Sequence, residues 1–161
     1  MFYEEVFNAF NAHTVRYLVV GGVALNLHGI PRMTYDLDVM IALDVDNSLR
    51  AWQALISLGF APRVPFTIDE FTDAKRREEL FLTKNMLVLS FFKGAGKFDV
   101  VDIFVKNPID FEDCYRRKKI SLLKSLEITV AAAEDLIQLK SMTNRQQDAA
   151  DVEALKKLSD E

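Results

Sequence analysis

The segment Asp36-Leu-Asp38-Val-Met-Ile-Ala-Leu43 sets two carboxylates two residues apart inside an otherwise apolar run. Read as a β-strand, it turns alternate side chains to opposite faces, so Leu37, Val39, Ile41 and Leu43 face a core while Asp36, Asp38, Met40 and Ala42 share the other side. Two carboxylates held that close repel each other, which is costly unless a cation lies between them. Hard oxygen ligands on a rigid strand suit Mg²⁺ or Mn²⁺. An isolated Asp-x-Asp is also a common acidic solvent face, so the surrounding sequence has to decide.

That surrounding sequence alternates helices and strands. Helical spacing of Val6, Phe7 and Phe10 predicts a helix over 3–13, followed by a strand at Tyr17-Leu-Val-Val20 that ends at Gly21-Gly22. A short helix follows over 23–27, with Gly29 as its stop and Pro31 forcing extended backbone at Ile30. After the carboxylate strand, Asp46 or Asn47 is expected to cap a helix running to Leu58 and stopping at Gly59. A charged helix over 69–84 is anchored by Phe71, Leu80 and Phe81. Met86 to Phe92 and Phe98 to Val105 are strands joined by the loop Lys93-Gly-Ala-Gly-Lys97, which lacks the spacing and the Ser or Thr of a phosphate-binding loop. A helix over 110–117, strands over 120–123 and 126–130, and two closing helices over 133–142 and 147–158 complete the chain. The expected class is α/β (α+β), with a mixed sheet flanked by helices, in one domain over residues 1–161.

Composition bounds the function. The 161 residues carry a net charge of -4, which argues against a surface coated in nucleic acid, and Cys114 is the only cysteine, so a disulfide or cysteine-based zinc site is excluded. The acidic N-terminus and the absence of any apolar run near 18 residues point to a cytoplasmic protein with no membrane role. Two local basic runs, Lys75-Arg-Arg77 and Arg116-Arg-Lys-Lys119 with Lys124, would grip an RNA end if they flanked a cleft. Their acidic neighbours Glu78, Glu79, Asp110, Glu112 and Asp113 suit solvated faces instead. His28 reads as a packing residue, Cys114 as inert, and the phenylalanines as core.

Gly21 and Gly22 follow a strand and open a helix, where backbone N–H groups can approach a phosphate. Thirteen residues separate Gly22 from Asp36. Apolar-Gly-Gly, a spacer, then Asp-apolar-Asp-apolar resembles the signature of the DNA polymerase β-like nucleotidyltransferase superfamily. The resemblance implies that Gly21 and Gly22 contact nucleotide phosphates and that Asp36 and Asp38 hold metal. It also implies a third carboxylate from a neighbouring strand. In Phe98-Asp99-Val-Val-Asp102-Ile-Phe-Val105 the choice falls on Asp102, mid-strand with Val100 and Phe104 on its face, over Asp99 at the strand start.

Further positions sharpen the likeness. Gly21-Gly22, Gly29, Pro31-Arg32, Thr34 and Asp36-Leu-Asp38, with a closing Glu134-Asp-Leu-Ile-Gln-Leu-Lys140 and Arg145-x-x-Asp148-x-x-Asp151, resemble the AbiEii/AbiGii toxin-type branch. Gln146-Gln147 departs from that branch, which often has a base or proline there. The resemblance implies phosphate contacts from Arg32 and Lys140 and a supporting role for Thr34. Asp148 and Asp151, on one helix face, would fix Lys140 or Arg145. It further implies metal-dependent transfer of a nucleoside monophosphate from an NTP to a hydroxyl, with RNA or tRNA as acceptor and an antitoxin as partner. A small-molecule acceptor of the antibiotic type, and a non-catalytic nucleotide-binding or interaction module, are the alternatives. Oligomeric state is left open.

Overall fold

The computed structural model describes residues 2–95, 98–142 and 146–159. Its strands are β1 (Tyr17–Val20), β2 (Asp36–Ile41), β3 (Ala61–Pro62), β4 (Val88–Lys93), β5 (Asp99–Phe104), β6 (Lys119–Leu123) and β7 (Leu126–Val130). They form one seven-stranded sheet in the order β3-β4-β5-β2-β1-β7-β6. β2 runs parallel to β5 and β1 parallel to β7, while the other neighbours are antiparallel, so the sheet is mixed as expected.

The helices are α1 (Phe2–Ala12), α2 (Gly21–Leu27), α3 (Val45–Ser57), α4 (Ile68–Thr72), α5 (Ala74–Lys84), α6 (Phe111–Arg116), α7 (Ala133–Ser141) and α8 (Gln146–Ser159). Among the described residues, no helix is long and apolar enough to cross a membrane.

The apolar side of the carboxylate strand is buried as its alternation requires. Leu37, Val39 and Ile41 join Leu89, Phe91, Val101 and Ile103 in the core. Trp52 of α3 and Phe71 of α4 close over this side, with the Trp52 and Phe91 rings edge to face at 5.4 Å. Phe7 of α1 stacks on Tyr17 of β1 at 5.9 Å. The opposite side of β2, bearing Asp36 and Asp38, is therefore the face left for chemistry.

Three local expectations need correction. The cap of α3 is Asp44, whose carboxylate accepts from Asn47 N–H, rather than Asp46 or Asn47. Asn47 is buried instead and ties α3 to the sheet: its carbonyl accepts from Arg16 N–H, and its amide donates to Arg16 O and Ala42 O. The single helix over 69–84 is two. Asp73 adopts extended backbone and caps α5 by accepting from Lys75 and Arg76 N–H, so the chain turns there. β3 was not expected at all. It is a two-residue edge strand containing a proline, too short for alternation to register and tolerable at an edge because proline cannot donate to a ladder.

Candidate active site

Register brings the predicted carboxylates together. Asp38 sits directly opposite Val20 on β1 and opposite Asp102 on β5, and Asp102 in turn sits opposite Ser90 on β4. One row across four strands therefore reads Val20, Asp38, Asp102, Ser90. Asp36 lies one step along β2 on the same face, opposite Val100. Asp99, the rejected candidate, pairs with Lys93 at the far end of the hairpin.

The electrostatics of this row are unfavourable without a cation. Burial, then the charges of Asp102 and Asp36, push the Asp38 carboxyl up to about 7, and Lys140 partly offsets the rise. Asp102 is raised in the same direction, mainly by burial, although Ser90 Oγ donates a hydrogen bond to it. Asp38 and Asp102 face each other across β2 and β5, so neither loses its proton independently of the other. Asp36 is exposed. Among the described residues, no three acidic, histidine or cysteine side chains close into a ready-made metal cage. The expected three-carboxylate convergence is thus a meeting of two, with the third carboxylate at the rim. The donor chemistry, three carboxylates on one rigid face with two of them half-buried and facing each other, fits a divalent cation.

The glycines are required by close approach. Gly21 has φ +69, and a Cβ there would overlap the Asp38 carboxylate. A Cβ on Gly22 would lie 2.8 Å from both Cβ and Oγ1 of Thr34. Thr34 thus packs under the start of α2, and its hydroxyl donates to Asp36 O at 3.2 Å. The N-cap residue Val20 supplies no side-chain acceptor to α2.

The closing helices carry a buried charge network. Lys140 Nζ lies 3.4 Å from Asp148 Oδ1 and 3.1 Å from Asp151 Oδ2. Arg32, in the loop between α2 and β2, pairs with Asp151 as well. The side chains of Lys140 and Asp148 are only 10% and 3% exposed, so each charge needs its partners. Asp148 and Asp151 do hold Lys140. Arg32, expected at the phosphates, is engaged with α8. Arg145 lies outside the described residues, as do Gly96 and Lys97 of the hairpin loop.

A cleft of about 590 Å³ opens beside this network. The sheet contributes Val20, Asp38 and Phe104, α2 contributes Gly21, and α7 contributes Leu136, Leu139 and Lys140. Phe81 and Phe104 are thus cleft residues rather than simple core, which their spacing does not reveal. Neither basic run lines the cleft. Arg77 is buried and donates to Phe71 O and Leu43 O. Arg76 pairs with Glu70 and Glu79, Arg116 with Asp113, Arg117 with Asp135, and Lys124 with Glu4. Of the acidic neighbours in sequence, Glu79 and Asp113 supply two of these partners. His28 is hydrogen-bonded to Ala131 O, and Cys114 is buried with its thiol pushed up to about 11.

Two residues of the active face were missed. Ser90 carries a signal: pairing Lys93 with Asp99 across the hairpin loop places it opposite Asp102. Arg63, just after β3, carries none, because the strand that positions it was itself invisible.

Comparison with known proteins agrees with this fold. No curated protein matches the chain at a significant level. Among solved structures, the lincosamide antibiotic adenylyltransferase LnuA, in its lincomycin-bound form, aligns with TM-score 0.60 and 16% identity, covering 96% of each chain. ANT(2")-Ia in complex with adenylyl-2"-tobramycin aligns with TM-score 0.59 and 8% identity, covering 98% of this chain and 91% of that one. An antigenic nucleotidyltransferase-like protein from Paracoccidioides brasiliensis aligns with TM-score 0.55 and 16% identity, covering 92% and 71%. At such identities these likenesses establish the fold. Residues 4–160 match DUF6036, described as a nucleotidyltransferase family of unknown function, and the chain belongs to that family.

Proposed function

We propose that this nucleotidyltransferase moves a nucleoside monophosphate from an NTP to a hydroxyl acceptor, with Asp36, Asp38 and Asp102 holding Mg²⁺ or Mn²⁺. The observation that carries the reading is the half-buried, face-to-face Asp38–Asp102 pair beside Gly21, an arrangement of acids that a cation would relieve. A bound divalent cation supplies charge neutralisation for the triphosphate and acidifies the acceptor hydroxyl.

The chain's own residues do the rest. Gly21 and Gly22 let the Asp38 carboxylate and Thr34 pack against the backbone at the start of α2, whose N–H groups would meet the phosphate oxygens. Lys140, held by Asp148 and Asp151, presents its charge to the Asp38 side of the cleft. Arg32 draws α8 against the loop that carries Thr34, which supports the glycines. Asp102 accepts the proton of the acceptor hydroxyl, oriented by Ser90. The acceptor oxygen bonds to the α-phosphorus as the bond to the leaving pyrophosphate breaks. Positioning and charge neutralisation account for the rate, as in phosphoryl transfer generally.

The finer setting follows from motif likeness: the toxin-type branch, an RNA or tRNA acceptor, and an antitoxin partner. The test is incubation with Mg²⁺, each α-labelled NTP, and either total RNA or a small-molecule acceptor panel. Label transfer that vanishes in Asp36→Asn and Asp38→Asn supports the reading. An absence of transfer, together with an absence of Mg²⁺-dependent nucleotide binding by calorimetry, sinks it and leaves the non-catalytic module.

A further inference from the structure

The active row does not end at Ser90. Arg63 N–H donates to Ser90 O at 2.8 Å, which extends the row to a fifth position beyond β4. The Arg63 guanidinium lies over the Phe92 ring, 5.2 Å from its centroid. Phe92 alternates with the buried Phe91 and is paired with Val100, so it belongs to the carboxylate face. Arg63 is exposed, and among the described residues it forms no ion pair. Along the row it lies one strand beyond Ser90, which faces Asp102. The Arg63 and Asp102 backbones are about 10 Å apart, two strand spacings.

We propose that Arg63, braced on Phe92, binds the acceptor, and that the acceptor carries a negatively charged group, phosphate or carboxylate, near its reacting hydroxyl. The inference rests on the nucleotidyltransferase reading above. Gly21 and Lys140 flank Asp38 on the β1 and α7 side, which places the leaving pyrophosphate there. Attacking and leaving oxygens lie roughly in line in phosphoryl transfer. The acceptor therefore enters from the opposite side of Asp102, over Ser90 and toward Arg63. With cations bound, the carboxylates are neutralised and the guanidinium is the charge an acceptor meets. A flat fork stacked on an aromatic ring is pre-organised for a bidentate oxyanion. The same charge repels an acceptor built of amines.

The probe is inorganic phosphate, titrated into the protein carrying Mg²⁺ and a non-hydrolysable NTP, with binding followed by calorimetry in wild type and variants and at the Arg63 side-chain N–H by NMR in wild type. Saturable phosphate binding is expected, weakened about tenfold or more in Arg63→Met and less in Arg63→Lys, with Mg²⁺–nucleotide affinity unchanged. Phosphate that fails to shift Arg63, or binds equally to Arg63→Met, overturns the proposal. So does a loss of Mg²⁺–nucleotide affinity in Arg63→Met, which would put the cation on the triphosphate side. Wild-type protein that binds no Mg²⁺–nucleotide instead marks failure of the underlying reading. Label transfer into RNA, against transfer into an RNA-free extract of small metabolites, tells the two sources of the anion apart. Either must fall in Arg63→Met, and label that enters neither, or is indifferent to the substitution, refutes the assignment.

Discussion

Replacing Asp38 with Asn should abolish activity and stabilise the metal-free protein, two effects with one cause. In the fold the Asp38 carboxyl rises from 3.8 to about 7, chiefly through burial and the charge of Asp102. A carboxyl raised by folding lends stability that is complete below its unfolded pKa and is lost as pH climbs through the folded one. Metal-free wild type should therefore weaken between about pH 4 and pH 7 and level off above. The full difference corresponds to about 4 kcal/mol, an upper bound because the titration of Asp38 is linked to that of Asp102. Asp38→Asn removes the titrating charge, and its amide can still hydrogen-bond Asp102. Urea unfolding in EDTA at pH 5 and pH 8 measures this: the variant should gain on wild type at pH 8 and lose that gain at pH 5. Mg²⁺ should narrow the gap, since a ligand at a hundred times its Kd adds about 2.7 kcal/mol to wild type and little to the variant. A variant less stable than wild type at pH 8 in EDTA, or equally stabilised by Mg²⁺, would refute the idea of a carboxylate pair waiting for a cation.

Other residues offer sharper single tests. Gly21→Ala should eliminate label transfer, because the left-handed backbone disfavours a side chain by about 1–2 kcal/mol and the new methyl displaces the Asp38 carboxylate; full activity would contradict the packing. Gly22→Ala should lower the melting temperature, and Thr34→Gly in the same chain should recover part of the loss, since the clash is with Thr34. Asp151→Asn removes the partner shared by Arg32 and Lys140 and should destabilise by about 3 kcal/mol in denaturant; an unchanged midpoint would mean the network is not structural. Cys114 should resist a thiol-specific reagent at pH 8 in folded protein and react at once in urea, given its burial and raised thiol pKa.

Much of this site was legible in advance because strands obey a period of two. Asp36 and Asp38 had to share a face, and Leu37 and Val39 had to occupy the other, before any partner strand was known. Gly21 and Gly22 were legible as a motif but not as physics. The reason for them, the Asp38 carboxylate against one and Thr34 against the other, depends on contacts across the sheet and loop. The ion pair of Arg32 with Asp151 spans 119 positions, and nothing local to either residue announces it. Asp73 shows the opposite failure. An aspartate before a charged run is a legible N-cap, yet helical periodicity on both sides hid the break between α4 and α5.

The register of one hairpin connects these cases. Once Lys93 faces Asp99, Ser90 must face Asp102, and once β2 and β5 align Asp36 with Val100, Asp38 must face Asp102. A slip of one residue in either pairing would turn the third carboxylate into the core and put Val101 or Ile103 at the metal position. The buried Val101, Ile103 and Phe91 on the far side penalise that slip, at roughly 1.5–3 kcal/mol for each large side chain exposed. The hydrophobic core is thus what holds the acids in line, and substitutions that loosen it, such as Ile103→Ala, should lower activity before they unfold the protein.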